Sequence, residues 1–250
     1  MFKEMQKGRI TILTLAHGKA NLMDLEFCER FGQKLDELGA RDSIIVLTGE
    51  GKIFSAGVDL HRLLREGPSY MRRFVPAMEA VFERLFFYPN PVVAAVNGHA
   101  IAGGCMLACA ADFSVAIADG ARIGVPEIRI GVPFPPVAME IVRFAVAPER
   151  FQEVILMGQT YPPLEARNYG LVDELAPQDL LLDRALAIAE WLGSIPKETF
   201  VFTKAQIRSG LRERFREATE KLRDKVLDLW TSPQILQAME RYVSEVLTKR

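Results

Sequence analysis

Two glycine turns contain the residues best suited to chemistry. One turn, NGHAIAGGCML, covers residues 97–107, follows the apolar run Val92 to Val96 and leads into a run typical of a helix. The other, FSAGVDL, covers residues 54–60 and follows the apolar run Ile44 to Leu47. The first amides of a helix have no intrahelical acceptor, and glycine lets a ligand approach the backbone closely. Both turns therefore offer N–H donors to a developing negative charge.

The order of four motifs resembles that of the crotonase (enoyl-CoA hydratase/isomerase) superfamily. Its members carry a segment like FSAGVDL ahead of one like PVVAAVNGHAIAGGCMLA. Residues 111–128, ADFSVAIADGARIGVPEI, resemble the next strand and the PE-containing segment of the family, and residues 166–173, ARNYGLVD, resemble its A-x-x-x-G-L-V-D turn. The resemblance implies an α/β chain with the crotonase (ClpP-like) fold, in which repeated β-β-α units form a spiral core.

The resemblance also implies a role for the backbone of both turns. In this family the carbonyl oxygen of a thioester accepts two main-chain N–H bonds, which stabilise an enolate as its charge develops. Carried onto this chain, the two donors are expected to be the amides of Ala56 and Gly103. Asp59 is expected to cap the helix that follows the first turn. The predicted substrate-binding residues are Ala56, Gly57, Val58, Asp59, Gly103 and Met106.

One carboxylate remains where the hydratases of the superfamily use two. Those enzymes carry one in a GGCEL segment and one in the PE segment, whereas this chain has Met106 at the first place and Glu127 at the second. A thioether does not serve as a proton acceptor in acid–base catalysis, and apolar neighbours such as Ile128 and Phe134 are expected to raise the pKa of Glu127. The resemblance therefore predicts isomerisation of a 3-enoyl-CoA to the trans-2-enoyl-CoA, with Glu127 as the single acid and base.

The turn after the PE segment favours the same reading. Residues 131–137, GVPFPPV, lack the paired glycines usual in hydratases and look closer to the monofunctional 3,2-enoyl-CoA isomerases. Three alternatives remain open, because an oxyanion site serves several reactions. They are hydration of an enoyl-CoA, hydrolysis or decarboxylation of another acyl-CoA, and a non-catalytic scaffold that binds CoA.

The composition and net charge of the chain favour no highly charged partner such as a nucleic acid or an anionic membrane. The chain has 250 residues, 49% of them hydrophobic, and a net charge of -1. From the charge balance we expect neither a nucleic-acid nor a membrane partner. Since no apolar stretch reaches the length of a bilayer span and the first residues show no long apolar segment, we expect a cytoplasmic protein. His17, His61 and His99 lie far apart without ligand spacing, so no metal site is expected. No cofactor is expected either, since coenzyme A would be part of the substrate.

Alternating strands and helices must position these turns. Apolar patterning predicts strands at residues 9–15, 43–48, 92–96 and 113–117, and helices at residues 24–38, 70–87, 103–110 and 137–146. After residue 180 nearly the whole chain is predicted to be helical. The expected organisation is an acyl-CoA-binding core at residues 1–195 and a helical extension at residues 196–250. The resemblance implies that this extension supports a homotrimer or a dimer of trimers.

Overall fold

Two sheets form the centre of the molecule, which a computed structural model describes over residues 1–247. The strands of the larger sheet are β1 Phe2–Lys7, β2 Ile10–Leu15, β3 Ile44–Gly49, β5 Val92–Val96, β7 Phe113–Ile117 and β10 Glu174–Ala176. Their spatial order is β1-β2-β3-β5-β7-β10, antiparallel between β1 and β2 and parallel elsewhere. The strands of the smaller sheet are β4 Ile53–Ser55, β6 His99–Ile101, β8 Ile123–Gly124 and β9 Thr160–Tyr161, in the order β4-β6-β8-β9.

Successive strands alternate between the two sheets in a repeated pattern. Each of the pairs β3 and β4, β5 and β6, and β7 and β8 places its first strand in the larger sheet and its second in the smaller one. A helix follows each pair. The predicted α/β class with repeated β-β-α units is therefore confirmed.

Helices surround both sheets and dominate the last third of the chain. The helices are α1 Leu25–Ala40, α2 Leu60–Glu66, α3 Pro68–Phe86, α4 Gly103–Ala110, α5 Glu127–Ile130, α6 Pro136–Ala145, α7 Pro148–Met157, α8 Pro163–Tyr169, α9 Leu181–Ser194, α10 Lys197–Ile207, α11 Leu211–Trp230 and α12 Pro233–Tyr242, with a π-helical turn at Val243–Leu247. No helix within residues 1–247 is long and apolar enough to cross a bilayer.

Alternate side chains of the central strands point into two apolar cores. In β3, Ile45 and Leu47 belong to the larger core, which also contains side chains of α1, α3, α4 and α6. Ile44 and Val46 point to the other face and pack with residues of α9, among them Ala185 and Ala189. Since successive side chains of a strand face opposite sides, this accounts for the continuous apolar runs in the sequence.

The helical extension folds back onto the core of the same chain. Lys204 Nζ of α10 lies 2.7 Å from the Asp112 carboxylate, and Nη2 of Arg208, the residue after α10, lies 3.0 Å from it. On α11, Trp230 Nε1 donates to the Pro133 carbonyl over 2.9 Å. The predicted extension at residues 196–250 is thus helical as far as residue 247, and its last three residues lie outside the described part of the chain. Its predicted role in a trimer stays a prediction.

Candidate active site

Gly103 lies at the start of α4, where β6 ends and the chain turns. Ala102 adopts a φ of 52°, in the left-handed region, and its N–H donates to the Gly124 carbonyl over 2.8 Å. This places Gly103 as the first helical residue, whose N–H has no acceptor within the helix. Among the described residues the Gly103 N–H has no other acceptor, and Gly103 lines a cavity of about 1010 Å³. The position predicted for Gly103 as a donor is compatible with this geometry.

Ala56 does not have a free N–H. Its amide donates to the Ala20 carbonyl over 3.0 Å, so the hydrogen predicted to bind a thioester oxygen is already used. The assignment of Ala56 as a donor is therefore wrong for this structure. Ala56 still lines the cavity, as predicted for a substrate-binding residue.

The free amide of this segment belongs to Val58. Met23 and Val58 form a parallel bridge, in which the Met23 N–H donates to the Gly57 carbonyl over 2.7 Å and the Asp59 N–H donates to the Met23 carbonyl over 3.0 Å. In such a bridge, the amide of the middle residue points away from the partner strand. The Val58 N–H accordingly has no acceptor among the described residues, and Val58 lines the same cavity as Gly103. No pattern in the sequence points to the Val58 amide, because main-chain amides cannot be told apart until their pairing is known.

Both turns meet at this point. A Cβ atom on Gly103 would lie 3.7 Å from the Gly57 Cα and 2.8 Å from the Met23 sulfur. Gly57 has a φ of 84°, which favours glycine, and it is crowded by the backbone of residues 101–103. The two segments predicted to converge therefore do so, with two unpaired amides, those of Val58 and Gly103, on adjoining backbone.

Glu127 is the buried acid of the cavity. It follows Pro126, opens the short helix α5, and is only 7% exposed. Its Oε2 is buried without a hydrogen-bond partner, and burial raises the pKa of Glu127 to about 8. A carboxyl group with a pKa near neutrality can both accept and donate a proton. The expectation of a raised pKa is thus met, and the physical cause is loss of solvation.

Met106 stands one turn after Gly103 on α4 and is 1% exposed. It lines the cavity together with Met78 and Phe82 of α3. This wall holds no group able to accept a proton or to bind water strongly.

Two other acidic side chains reach the cavity wall. Asp59 caps α2, because its carboxylate accepts the Arg62 N–H over 2.9 Å, as predicted. Glu245 belongs to the π-helical turn and is exposed. No charge from either residue contributes to the pKa shift of Glu127. Glu127 is therefore the acid whose burial and raised pKa suit it to proton transfer.

The cavity has a volume of about 1010 Å³ and two chemically different ends. The exposed rim carries basic side chains, namely His61, His99, Arg122, Arg129 and Arg241. The Arg122 side chain is already bound to Thr160, whereas Arg129 and Arg241 form no ion pair within the described chain. The buried end is apolar and lies between α3, α6 and the end of α11. A ligand with an anionic head and an apolar tail matches this division.

Comparison with known proteins gives one consistent family. The family described as Enoyl-CoA hydratase/isomerase matches residues 5–245. A putative enoyl-CoA hydratase of Thermus thermophilus is 34% identical over 225 residues, which cover 86% of this chain and 88% of the relative. Enoyl-CoA delta isomerase 1 of Rattus norvegicus mitochondria is 30% identical over 212 residues, covering 82% and 72% of the two chains.

Among solved structures, human mitochondrial delta3-delta2-enoyl-CoA isomerase superposes with a TM-score of 0.90. The superposition covers 100% of this chain and 99% of the human one at 23% identity. At that identity, the superposition is evidence for the fold alone.

Proposed function

The chain belongs to the enoyl-CoA hydratase/isomerase family, and we propose that it isomerises 3-enoyl-CoA thioesters to trans-2-enoyl-CoA. The observation that carries this proposal is the pairing of one buried, unpartnered carboxyl group, Glu127, with two unpaired amides, those of Val58 and Gly103, on the wall of one cavity. Isomerisation needs one group that takes a proton and returns it, and a site for the oxyanion in between.

The proposed reaction moves one proton and consumes nothing. The ionised Glu127 carboxylate takes a proton from C2, and the electrons of that bond form a double bond between C1 and C2. The thioester oxygen becomes an oxyanion that accepts hydrogen bonds from the N–H groups of Val58 and Gly103. The carbonyl double bond then re-forms, and the electron pair of the C1–C2 double bond moves to form the C2–C3 double bond. The C3–C4 double bond opens, and its electron pair takes the proton of the Glu127 carboxyl at C4. Preorganised donors of this kind contribute about a hundredfold to a thousandfold each.

Met106 supports isomerisation over hydration. Addition of water to a double bond requires that a water molecule be held and deprotonated beside C3. The wall formed by Met106, Met78 and Phe82 holds no such group, and the Asp59 carboxylate is turned to the start of α2.

Hydration is the second candidate. The Thermus relative carries the name of a putative hydratase and is the more identical of the two relatives above. Glu245 at the rim is the side chain that could supply a second carboxylate, since it lines the same cavity.

One assay separates the two reactions. The protein is given a 3-hexenoyl-CoA and, separately, trans-2-hexenoyl-CoA, with absorbance of the conjugated thioester and mass of the products as readouts. Isomerase activity predicts conjugation from the first substrate and no 3-hydroxyacyl-CoA from either. Loss of conjugation from the second, with gain of water, supports a hydratase instead.

The Glu127→Gln variant tests the assigned base. The amide keeps the shape of the side chain but cannot accept a proton, so conjugation is expected to fall by about a hundredfold to ten-thousandfold. Binding of saturated hexanoyl-CoA should be retained, which shows that the variant is folded. Full isomerase activity in this variant would defeat the role given to Glu127, and absence of CoA thioester binding in the wild type would defeat the proposal as a whole.

A further inference from the structure

One large side chain lies in the wall at the buried end of the cavity. Trp230, only 2% exposed, lines the cavity together with buried apolar side chains of other segments. These lining residues are Met78, Phe82, Val132 and Ala138. The opposite end is exposed and carries Arg129 and Arg241.

The direction in which an acyl-CoA would lie follows from these two ends. The nucleotide of CoA is large and highly charged, so it must stay at the exposed rim near the basic side chains. With the thioester oxygen on the amides of Val58 and Gly103, the acyl chain then extends toward the buried end. A chain long enough to fill that end would reach Trp230, which lines it.

The Trp230 ring is held in one position. Its Nε1 donates to the Pro133 carbonyl over 2.9 Å, so the polar atom of the indole is satisfied within the protein and the rest of the ring is hydrocarbon. Trp230 is also the last residue of α11, and Ser232 begins α12 by accepting the Ile235 N–H. The turn at residues 231–232 therefore joins the helix that carries Trp230 to the helix that carries Arg241, and both residues line the cavity.

We propose that Trp230 is a specificity-determining residue that sets the maximum length of the acyl chain and restricts it to hydrocarbon. This inference rests on the proposed function. The side chains at the closed end offer no unpaired hydrogen-bonding group, so a hydroxyl or carboxyl group at the chain end would be buried without a partner. Such burial should weaken binding by about fivefold to a hundredfold. A methylene that finds room is worth about 0.8 kcal/mol, or about fourfold in affinity.

Fluorescence tests the contact directly. The chain has two tryptophans, and the other one, Trp191, is 66% exposed on α9, so a Trp191→Phe variant leaves Trp230 as the only emitting indole. This variant is titrated with CoA, acetyl-CoA, and saturated acyl-CoAs of increasing length. Emission should be unchanged by CoA and acetyl-CoA and should change once the chain is long enough to reach the ring. An unchanged spectrum, with binding of the long chains shown by calorimetry, would overturn the inference.

A Trp230→Phe variant tests the length limit. The smaller ring widens the closed end, so the longest acyl chain that binds without loss should grow by one or two methylenes, with about fourfold tighter binding for each. A matched Trp191→Phe variant should keep the wild-type profile. The same profile in both variants would refute the role of Trp230.

Saturated thioesters undergo no isomerisation, so this test is independent of catalysis. If no acyl-CoA binds to the wild type by calorimetry, the proposed function fails and the inference fails with it. If acyl-CoAs bind but the length profile does not depend on residue 230, the inference alone fails. An 8-hydroxyoctanoyl-CoA that binds as tightly as octanoyl-CoA would contradict the restriction to hydrocarbon.

Discussion

A Cβ atom on Gly57 would lie 3.1 Å from the nitrogen of Gly103 and 2.7 Å from the carbonyl oxygen of Ile101. The two turns that carry the proposed oxyanion donors are therefore in direct backbone contact. Their spacing depends on the absence of a side chain at residue 57. This contact links a feature visible in the sequence, the two glycine turns, to the geometry that catalysis needs.

The first prediction concerns this contact. Gly57→Ala should push the segment of Val58 away from α4 and lower kcat by about a hundredfold, the usual effect of losing one oxyanion donor. Gly51→Ala is the matched control, because Gly51 has a φ of 74° and no atom within 4 Å of a Cβ. It should cost about 1–2 kcal/mol of stability from the left-handed conformation and leave kcat unchanged. Equal kcat in both variants would argue against the proposed spacing.

The second prediction is the pH dependence of activity. Burial raises the pKa of Glu127 to about 8, and the reaction begins with its ionised form. The value of kcat/KM for a 3-enoyl-CoA should therefore rise with pH and level off above about pH 8, because this profile reports groups of the free enzyme. Stopped assays from pH 6 to pH 10, corrected for hydrolysis without enzyme, measure it. A flat profile over this range, which a carboxyl group with the ordinary pKa of 4.5 would give, would contradict the assignment.

The third prediction restores a second acid. Met106→Glu places a carboxyl group on the wall that faces the cavity, where the family's hydratases carry one. Hydration of trans-2-hexenoyl-CoA should increase by about tenfold or more, since a water molecule can then be held and deprotonated. Met106→Gln adds a polar group of the same size without a base, so it should not show this gain. Hydration at the wild-type rate in the glutamate variant would show that residue 106 does not set the reaction type.

The fourth prediction concerns the rim. Arg129 is exposed, lines the cavity and has no ion-pair partner among residues 1–247, so it is available for a phosphate. Arg129→Gln should weaken binding of hexanoyl-CoA by about tenfold, the usual worth of a charge-assisted hydrogen bond. Binding of hexanoyl-pantetheine, which lacks the nucleotide, should not change. A loss of the same size with both ligands would mean that Arg129 acts on the fold and not on the phosphates.

Long helices and buried apolar strands could be predicted from the sequence, whereas strands that are very short or mostly exposed could not. Strand β5 and helix α4 lie at the predicted bounds. A continuous apolar run marks the strand, and a pair of glycines marks the start of the helix. The strands β4, β6, β8 and β9 have two or three residues each, which is too short to show a period. Strand β1 is mostly exposed and polar, so nothing in its composition separates it from a loop.

The sequence predicted which segments form the candidate site but not which of their atoms are available to a ligand. The sequence identified both turns and Glu127, and it predicted a raised pKa from apolar neighbours. It assigned one donor to the wrong residue, because the availability of an N–H depends on contacts distant in sequence. Ala20 takes the amide of Ala56, and pairing with Met23 turns the amide of Val58 the other way. The place of the tail at an oligomer interface stays a prediction, and the sequence did not indicate that Trp230 of that tail lines the cavity of its own chain.

The last prediction uses stability to test the buried state of Glu127 without any substrate. Its pKa rises from 4.5 in an unfolded chain to about 8 in the folded protein. Below pH 4.5, the carboxyl group is protonated in both the folded and the unfolded state, so its ionisation does not lower the free energy of unfolding. Between the two values, the unfolded chain loses its proton first, so the free energy of unfolding falls as pH rises, by about 1.4 kcal/mol per pH unit at most.

Glu127→Gln removes this dependence. The variant and the wild type should thus differ by about 1 kcal/mol or less at pH 5, as for an ordinary polar exchange, and the variant should be clearly the more stable at pH 9. Urea unfolding at both values measures this, with Glu165→Gln on the exposed face of α8 as the control that should follow the wild type. A constant difference between wild type and Glu127→Gln across this range would mean that the carboxyl group is solvated, and the proposed base would then lack its raised pKa.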